Sequence, residues 1–172
     1  MYYLNLNFNP RTLIGDNPED INDRNYGNNN VKGPGADHGT GVAGVIASIR
    51  NNNKGIDGIA SAVKIMPIRV VPDGDERDKD IALAIMYAVD NGARIINMSF
   101  GKKLSPQKAF VDSAIRYAEQ HNVLLVHSSG NDGLNLEVSE TFPSDRYMNG
   151  MEATNLICVG ASSIKPDKAL AA

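Results

Sequence analysis

The sequence has 172 residues, of which 42% are hydrophobic and 22% charged, as is ordinary for one globular domain. Its formal net charge of -3 gives no reason to expect nucleic acid or an anionic membrane as a partner, because a net acidic surface attracts neither. No apolar run of about 18 residues occurs, and the first residues lack a basic, apolar secretory signal. The single cysteine, Cys158, excludes an internal disulfide and predicts a small buried hydrophobe.

The first part of the chain predicts a long loop, a helix and a strand. Residues 9–37 are rich in Asn, Gly, Pro and Asp and show no sustained apolar period, which is typical of a connecting loop. Apolar residues then recur at helical spacing from His38 to about Ile49. The apolar run at 63–71 predicts a strand, although Pro67 removes a ladder donor and is typical of a sheet edge.

The rest of the chain alternates between helices and strands. A helical stripe runs from Ile81 to Val89, and Gly92 after it can supply a left-handed cap. A second amphipathic helix is marked by Val111, Ala114, Ile115 and Ala118. The remaining buried runs predict strands at 94–101, 123–130 and 156–163. This order predicts an α/β domain with a mostly parallel sheet flanked by helices, which binds ligands at the carboxyl ends of its strands.

The segment ADHGTGVAG, residues 36–44, allows two interpretations. It contains the GxGxxG pattern of a dinucleotide-binding turn, but that turn needs a buried strand directly before the first glycine. The preceding residues are polar and glycine-rich, so nucleotide binding is a distant alternative. In the other interpretation His38 begins a helix. It is then either a surface histidine or a catalytic base, and the glycines beside it leave room for a bound substrate or a closely packed backbone.

Three segments together resemble subtilisin-like (S8) serine peptidases. HGTGVAGVIAS at 38–48 resembles the family's histidine segment, RIINMSFG at 94–101 its substrate-binding strand, and HSSGNDG at 127–133 its oxyanion asparagine segment. The resemblance implies a three-layer subtilisin-like α/β fold. It also implies a single partial peptidase domain over 1–172, with a loop-rich segment 1–37, an α/β core 38–163 and a tail 164–172.

The resemblance assigns a role to each matched residue. His38 would be the general base of a Ser-His-Asp triad, and the amide of Asn131 would donate to the tetrahedral oxyanion. Backbone groups of one segment would pair with an extended substrate, and Gly101 would leave room for the residue before the scissile bond. The residues of this segment are Ser99, Phe100 and Gly101. A pocket wall would be formed by Ser128, Ser129 and Gly130. No GxSxG elbow surrounds this serine pair, which argues against a nucleophile there.

Other polar residues have simpler interpretations. His127, in an apolar strand, is predicted as a hydrogen-bonded core residue, and His121, at a helix end, as solvated. The acidic segment 71–80 predicts a solvated loop with a helix-capping carboxylate. In the resembling fold this loop borders the substrate cleft, which implies a preference for basic residues upstream of the cut.

A calcium site is implied by resemblance alone. RNNNKG at 50–55 resembles the calcium loop of some family members, in which the side chain of Asn52 would be a ligand. The alternative is an exposed turn. The chemistry requires no cofactor, so calcium would be structural.

The chain also departs from the family pattern. Gly41 stands where HGTH has its second histidine, and neither a D-(S/T)-G nor a GTSMA-type segment occurs in the sequence. Asp37 is too close to His38 in sequence to orient it, and the acids Asp16, Asp20 and Asp23 lie in loop-like surroundings.

These departures lead us to expect an internal piece of a larger peptidase that is inactive by itself. Its expected partners are a polypeptide substrate, the missing flanking segments and, through exposed sheet edges, other copies of itself. A peptide-binding pseudopeptidase is the alternative. Family members are usually exported, which would place the protein in the periplasm or outside the cell.

Overall fold

The computed structural model describes residues 9–71 and 76–162. Within these residues three strands form one parallel sheet, in which the strands lie side by side in chain order, so the predicted α/β class is confirmed. A short 3-10 helix, Pro10–Ile14, lies within the predicted loop 9–37. The other elements are α1 (Asp37–Ala47), α2 (Asp78–Asp90), β1 (Ile95–Met98), α3 (Lys108–Gln120), β2 (Leu124–Ser128) and β3 (Leu156–Val159). No helix among the described residues is long and apolar enough to cross a membrane.

The core lies between the sheet and the helices α2 and α3. Side chains alternate between the two faces of a strand, and Leu125 and His127 of β2 are buried on the face that the helices cover. On the other face the described residues leave Ile95 64% and Ile157 47% exposed. Fully burying a large aliphatic side chain stabilises a fold by roughly 1.5–3 kcal/mol. The most deeply buried apolar residues are Ile81, Ala82, Ile85, Ala114, Ile115, Ala118 and Leu125.

Helices α2 and α3 end with a left-handed residue. Gly92 follows α2 with a φ of 83°, and its N–H donates to the Val89 carbonyl while that of Ala93 donates to Ala88. These two bonds satisfy carbonyls of the last turn in a Schellman arrangement. The predicted cap at Gly92 is therefore confirmed. Asn122 takes the same place after α3 with a φ of 56°, which asparagine tolerates better than most residues.

Helix α1 is completed by a neighbouring loop. The predicted helix is confirmed and covers Asp37–Ala47, but none of its residues is buried. Backbone N–H groups of residues 58–60 donate to carbonyls at its carboxyl end at 2.8–3.1 Å. This approach requires a glycine at position 58, because a Cβ there would lie 2.4 Å from the backbone nitrogen of Ser48.

Two predictions about strands are wrong. Residues 63–71 form no strand, and Val63, Ile65 and Met66 are 49%, 44% and 40% exposed. A strand needs a ladder partner for its backbone, and the described residues supply none to this segment, in which Pro67 also lacks a donor. Cys158 is exposed instead of buried because β3 is the last strand of the described sheet.

The three predicted strands that do form are shorter than their apolar runs. They cover four or five residues each, because the flanking residues leave the sheet as loops. Residue 163, at the end of the third run, lies outside the described residues.

An ionic cluster attaches the N-terminal segment to α2. Lys79, 1% exposed, places its Nζ 2.5 Å from Asp16 Oδ1 and 2.6 Å from the Asn17 carbonyl. Arg11 pairs with Asp16 at 2.9 Å and also with Asp80. Asp16 lies in a loop, as predicted, but it is buried there as an ion-pair partner, which the sequence did not predict.

Candidate active site

His38 is the second residue of α1 and its side chain is exposed. The loop before it is held by Arg69, whose Nη2 donates to the Pro34 carbonyl at 2.8 Å and whose guanidinium lies against Gly33. No hydrogen bond joins the imidazole to another side chain within the described residues. The helix begins at Asp37 with no strand in residues 9–36, so the strand that a dinucleotide turn requires is not present there.

The two other predicted segments lie side by side at one edge of the sheet. Met98, the last residue of β1, is the register partner of His127 in β2. Because the strands are parallel, the segment Ser99–Gly101 and the segment Ser128–Gly130 leave the sheet at the same edge. The backbone N–H of Ser129 also donates to Val159 at the end of β3, at 3.0 Å. This edge is the place where ligands bind in parallel α/β sheets.

Asn131 lies just beyond this edge. Gly130 has a φ of 87°, a conformation that glycine adopts without strain and that turns the chain out of the sheet. Asn131 is exposed, and no hydrogen bond joins it to His38 in the described part of the chain. The joint role of these two residues stays a prediction.

His127 is buried beneath the segment that follows β1. It is 2% exposed, and its Nε2 lies 2.8 Å from the carbonyl oxygen of Phe100. Burial lowers the pKa of the imidazole below its ordinary value, and the bond to Phe100 opposes part of this shift. The prediction of a hydrogen-bonded core histidine is confirmed. His121, at the end of α3, is exposed as predicted, with Nδ1 2.7 Å from the Tyr117 carbonyl.

A second buried group supports the same segment and was missed in the sequence. Asp78 in α2 is 3% exposed and pairs with Nζ of Lys102 at 2.7 Å. It also accepts from the hydroxyl of Ser105 and from the backbone N–H of Gln107, the residue that precedes α3, each at 2.8 Å. The carboxylate thus caps the start of α3 from a different helix.

The prediction of a solvated acidic loop at 71–80 is wrong for Glu76 and Asp78, which are 5% and 3% exposed. Residues 72–75 of that loop lie outside the described residues. No local sequence pattern indicates that Asp78 is buried, because Lys102, with which it pairs, is distant in sequence.

The segment at 50–55 supplies few ligands for calcium. Oδ1 of Asn52 already accepts the backbone N–H of Lys54 at 2.9 Å, and the residue is exposed. Within residues 9–71 and 76–162 no group of three or more His, Cys, Asp or Glu could hold a metal ion. The predicted calcium ligands are instead backbone carbonyls and the Asn52 side chain, so calcium binding stays a prediction, with further ligands from elsewhere.

Proteins of known sequence resemble this chain over most of its length. The sequence model of the subtilase family, peptidase S8, matches residues 8–171. The cell wall-associated protease of Bacillus subtilis (strain 168) is 38% identical over 145 residues, which are 83% of this chain and 16% of that protein. Subtilisin BL of Lederbergia lenta is 36% identical over 118 residues, 68% of this chain and 41% of the relative.

Solved structures agree with this similarity. A mutant of the protease domain of PatA has a TM-score of 0.61 at 26% identity and covers 78% of this chain and 46% of its own. Sphericase has a TM-score of 0.52 at 29% identity and covers 64% of this chain and 34% of its own. The chain thus spans less than half the length of these relatives. The match of the family model over residues 8–171 and these relatives together show that the chain belongs to the subtilase (S8) family of serine proteases.

Proposed function

We propose that this chain is part of a serine endopeptidase, in which it supplies the histidine and the oxyanion asparagine of a Ser-His-Asp mechanism. The observation that carries the proposal is the arrangement of β1 and β2. The carboxyl ends of β1 and β2 lie side by side at one edge of the parallel sheet. The family-matched segment 99–101 follows β1 directly, and the segment 128–131 begins at the last residue of β2. The membership of the chain in a serine protease family supports the same conclusion.

Each residue then has one chemical task. His38 takes the proton of the serine hydroxyl as it attacks the peptide carbonyl, and returns it to the departing amine. The side-chain amide of Asn131 donates to the oxyanion of the tetrahedral intermediate. The extended substrate forms backbone hydrogen bonds with Ser99–Gly101, and the second segment, Ser128–Gly130, forms a wall of the pocket beside it.

The 172 residues by themselves are inactive in this proposal. The sequence contains neither the aspartate segment nor the serine segment of the family, so no residue of the chain matches the nucleophile. The chain would act as one part of a subtilisin-like domain whose remaining segments supply both groups. A structural calcium ion at Asn52, and self-association through the exposed faces at Ile95 and Ile157, remain proposals of lower rank.

The alternative is a pseudopeptidase, which binds peptides without cleaving them. A fluorophosphonate probe distinguishes the two on the full-length product of the gene. An endopeptidase becomes labelled on a serine and cleaves an unfolded polypeptide. A pseudopeptidase binds the polypeptide but is not labelled.

Two substitutions test the assigned residues in the labelled enzyme. His38→Ala should abolish labelling, because the serine loses its base. Asn131→Ala should lower kcat roughly 10²–10³-fold, the effect that loss of one such donor has in subtilisin, a member of the same family. Asn135→Ala, in the loop that follows, is the matched control and should leave kcat unchanged. Full activity of the His38→Ala protein would refute the proposal.

A further inference from the structure

We infer that His127 is a positioning residue for substrate binding: its buried imidazole holds the carbonyl of Phe100 and so fixes the backbone of Ser99–Gly101 for pairing with an extended peptide. This inference rests on the proposed role of that segment in binding substrate. It adds a residue of β2 that touches no substrate and acts through the segment above it.

The hydrogen bond fixes the form of the imidazole. A carbonyl oxygen can only accept, so Nε2 of His127 carries the proton and donates to Phe100 across 2.8 Å. The ring is 2% exposed, so solvent cannot replace this donor. If the donor were removed, the Phe100 carbonyl would lose its partner or turn away from the core, and the segment would lose one of its anchors.

The segment is held at a second point just beyond Gly101. The backbone N–H of Lys102 donates to Phe142 at 3.1 Å and its carbonyl accepts from Phe142 at 2.9 Å. Its side chain is also paired with Asp78. Gly101 therefore lies between two anchors, and a Cβ on it would sit 3.4 Å from Nε2 of His127. The imidazole of His127 thus packs against Gly101 from the core side.

The direction of the bond explains why it would matter for a peptide. In an extended chain, successive residues direct their backbone groups to opposite sides. With the carbonyl of Phe100 directed at His127, an extended segment would direct the backbone groups of Ser99 and Gly101 to the other side. An incoming strand can pair with them there. Fixing Phe100 therefore orders the groups that bind the peptide before it arrives.

Three variants at position 127 separate hydrogen bonding from packing. His127→Leu fills the space without a donor, whereas His127→Gln keeps an amide N–H near the position of Nε2. His127→Asn keeps the polar group, but its amide is one bond shorter and does not reach Phe100. The matched controls are His121→Leu and His121→Gln, at the exposed end of α3.

The experiment measures peptide affinity, so it does not depend on catalysis. The full-length protein with His38→Ala, which does not cleave, is titrated against the fluorescein-labelled oxidised B chain of insulin by fluorescence anisotropy. We expect Kd to rise about tenfold in the leucine and asparagine variants, the usual cost of one lost hydrogen bond. We expect it to stay within about twofold of the parent in the glutamine variant and in both controls. Circular dichroism verifies folding, and the asparagine variant decides if the leucine variant does not fold.

Three results would overturn the inference. Equal Kd values for the parent and the asparagine variant would show that the bond does not position the segment. A glutamine variant as weak as the leucine variant would assign His127 to packing. Absence of polypeptide binding by the parent would remove the segment's role in binding. Failure of the proposed function is a separate outcome: the protein with His38 intact is then not labelled by fluorophosphonate, while the Kd series still tests His127.

Discussion

The two described parts of the chain are held together by different interactions. In residues 9–71 only Asp16 and Gly58 are buried, and neither is a large apolar residue. In residues 76–162 a continuous apolar core joins α2, α3 and the sheet. His38 therefore belongs to a part that depends on ion pairs and backbone hydrogen bonds, and Asn131 follows a strand that depends on apolar packing. Substitutions in the two parts should therefore differ in their effect on the free energy of unfolding and on local hydrogen exchange.

The largest effect is expected from a cavity in the apolar part. Ile115 of α3 is 0% exposed, so Ile115→Ala removes buried methylene and methyl groups and should lower the free energy of unfolding by about 4 kcal/mol. Val45→Ala in α1 is the matched control, because that side chain is 54% exposed and its loss should cost less than about 0.5 kcal/mol. Urea denaturation of the full-length protein measures both. Equal costs would contradict the distinction between the two parts.

The next largest effect is expected from the ion pairs that attach the N-terminal segment to α2. Lys79→Ala leaves the buried carboxylate of Asp16 without its closest cation and should cost about 3 kcal/mol. Arg11 still pairs with the second oxygen, which limits the loss. Hydrogen exchange should rise first in residues 10–26, while β2 stays protected.

Lys103→Ala is the matched control, because it removes an exposed ion pair instead of a buried one. This lysine pairs with Asp132 with side chains 70% and 56% exposed, so its loss should cost less than about 1 kcal/mol. The Lys79→Ala protein also tests whether the two parts unfold separately. If its hydrogen exchange rose equally in the N-terminal segment and in β2, the two parts would unfold as one unit.

The same contrast explains what the sequence could predict. Apolar periodicity predicted α2, α3 and the parallel strands, because these elements bury one face and their patterns repeat locally. The histidine and asparagine segments were recognisable for a similar reason, since their residues are contiguous. The ion pairs of Lys79 with Asp16 and of Lys102 with Asp78 join residues distant in sequence, and no local period reports them.

The errors have a related cause. The run at 63–71 and Cys158 have apolar surroundings in the sequence, but burial depends on what packs against them. In the described residues 63–71 lacks a ladder partner and β3 lacks a further neighbour. The acidic segment shows the reverse: Glu76 and Asp78 are charged, yet the elements around them bury both. For Asp78 the cause is Lys102, whose Nζ lies 2.7 Å from the carboxylate, and the composition of the acidic segment does not report this partner.

A smaller effect is expected where α1 meets its capping loop. Gly58→Ala places a Cβ 2.4 Å from the backbone nitrogen of Ser48, which cannot move without breaking the end of α1. We expect a loss of about 1–3 kcal/mol, typical of overpacking. Gly41→Ala in α1 meets nothing within 4 Å and should be neutral or stabilise by up to about 1 kcal/mol, because alanine favours helix. Thermal denaturation of the two variants checks this, and a Gly58→Ala protein as stable as the parent would exclude the close approach.

The smallest expected effect concerns how each part accommodates charge. Asp16 of the N-terminal part pairs with Lys79 of α2 at 2.5 Å, whereas the core holds His127 as a neutral ring. Because burial lowers the pKa of His127 in the folded state, the unfolded state binds more protons below the ordinary value of 6.5. The contribution of the neutral ring to stability is therefore complete above that pH and decreases as the pH falls below it. His127→Gln cannot titrate, so the free energy of unfolding of this variant should decrease less between pH 7 and pH 5 than that of the wild type. Parallel pH profiles for the two proteins would show that His127 does not resist protonation in the fold.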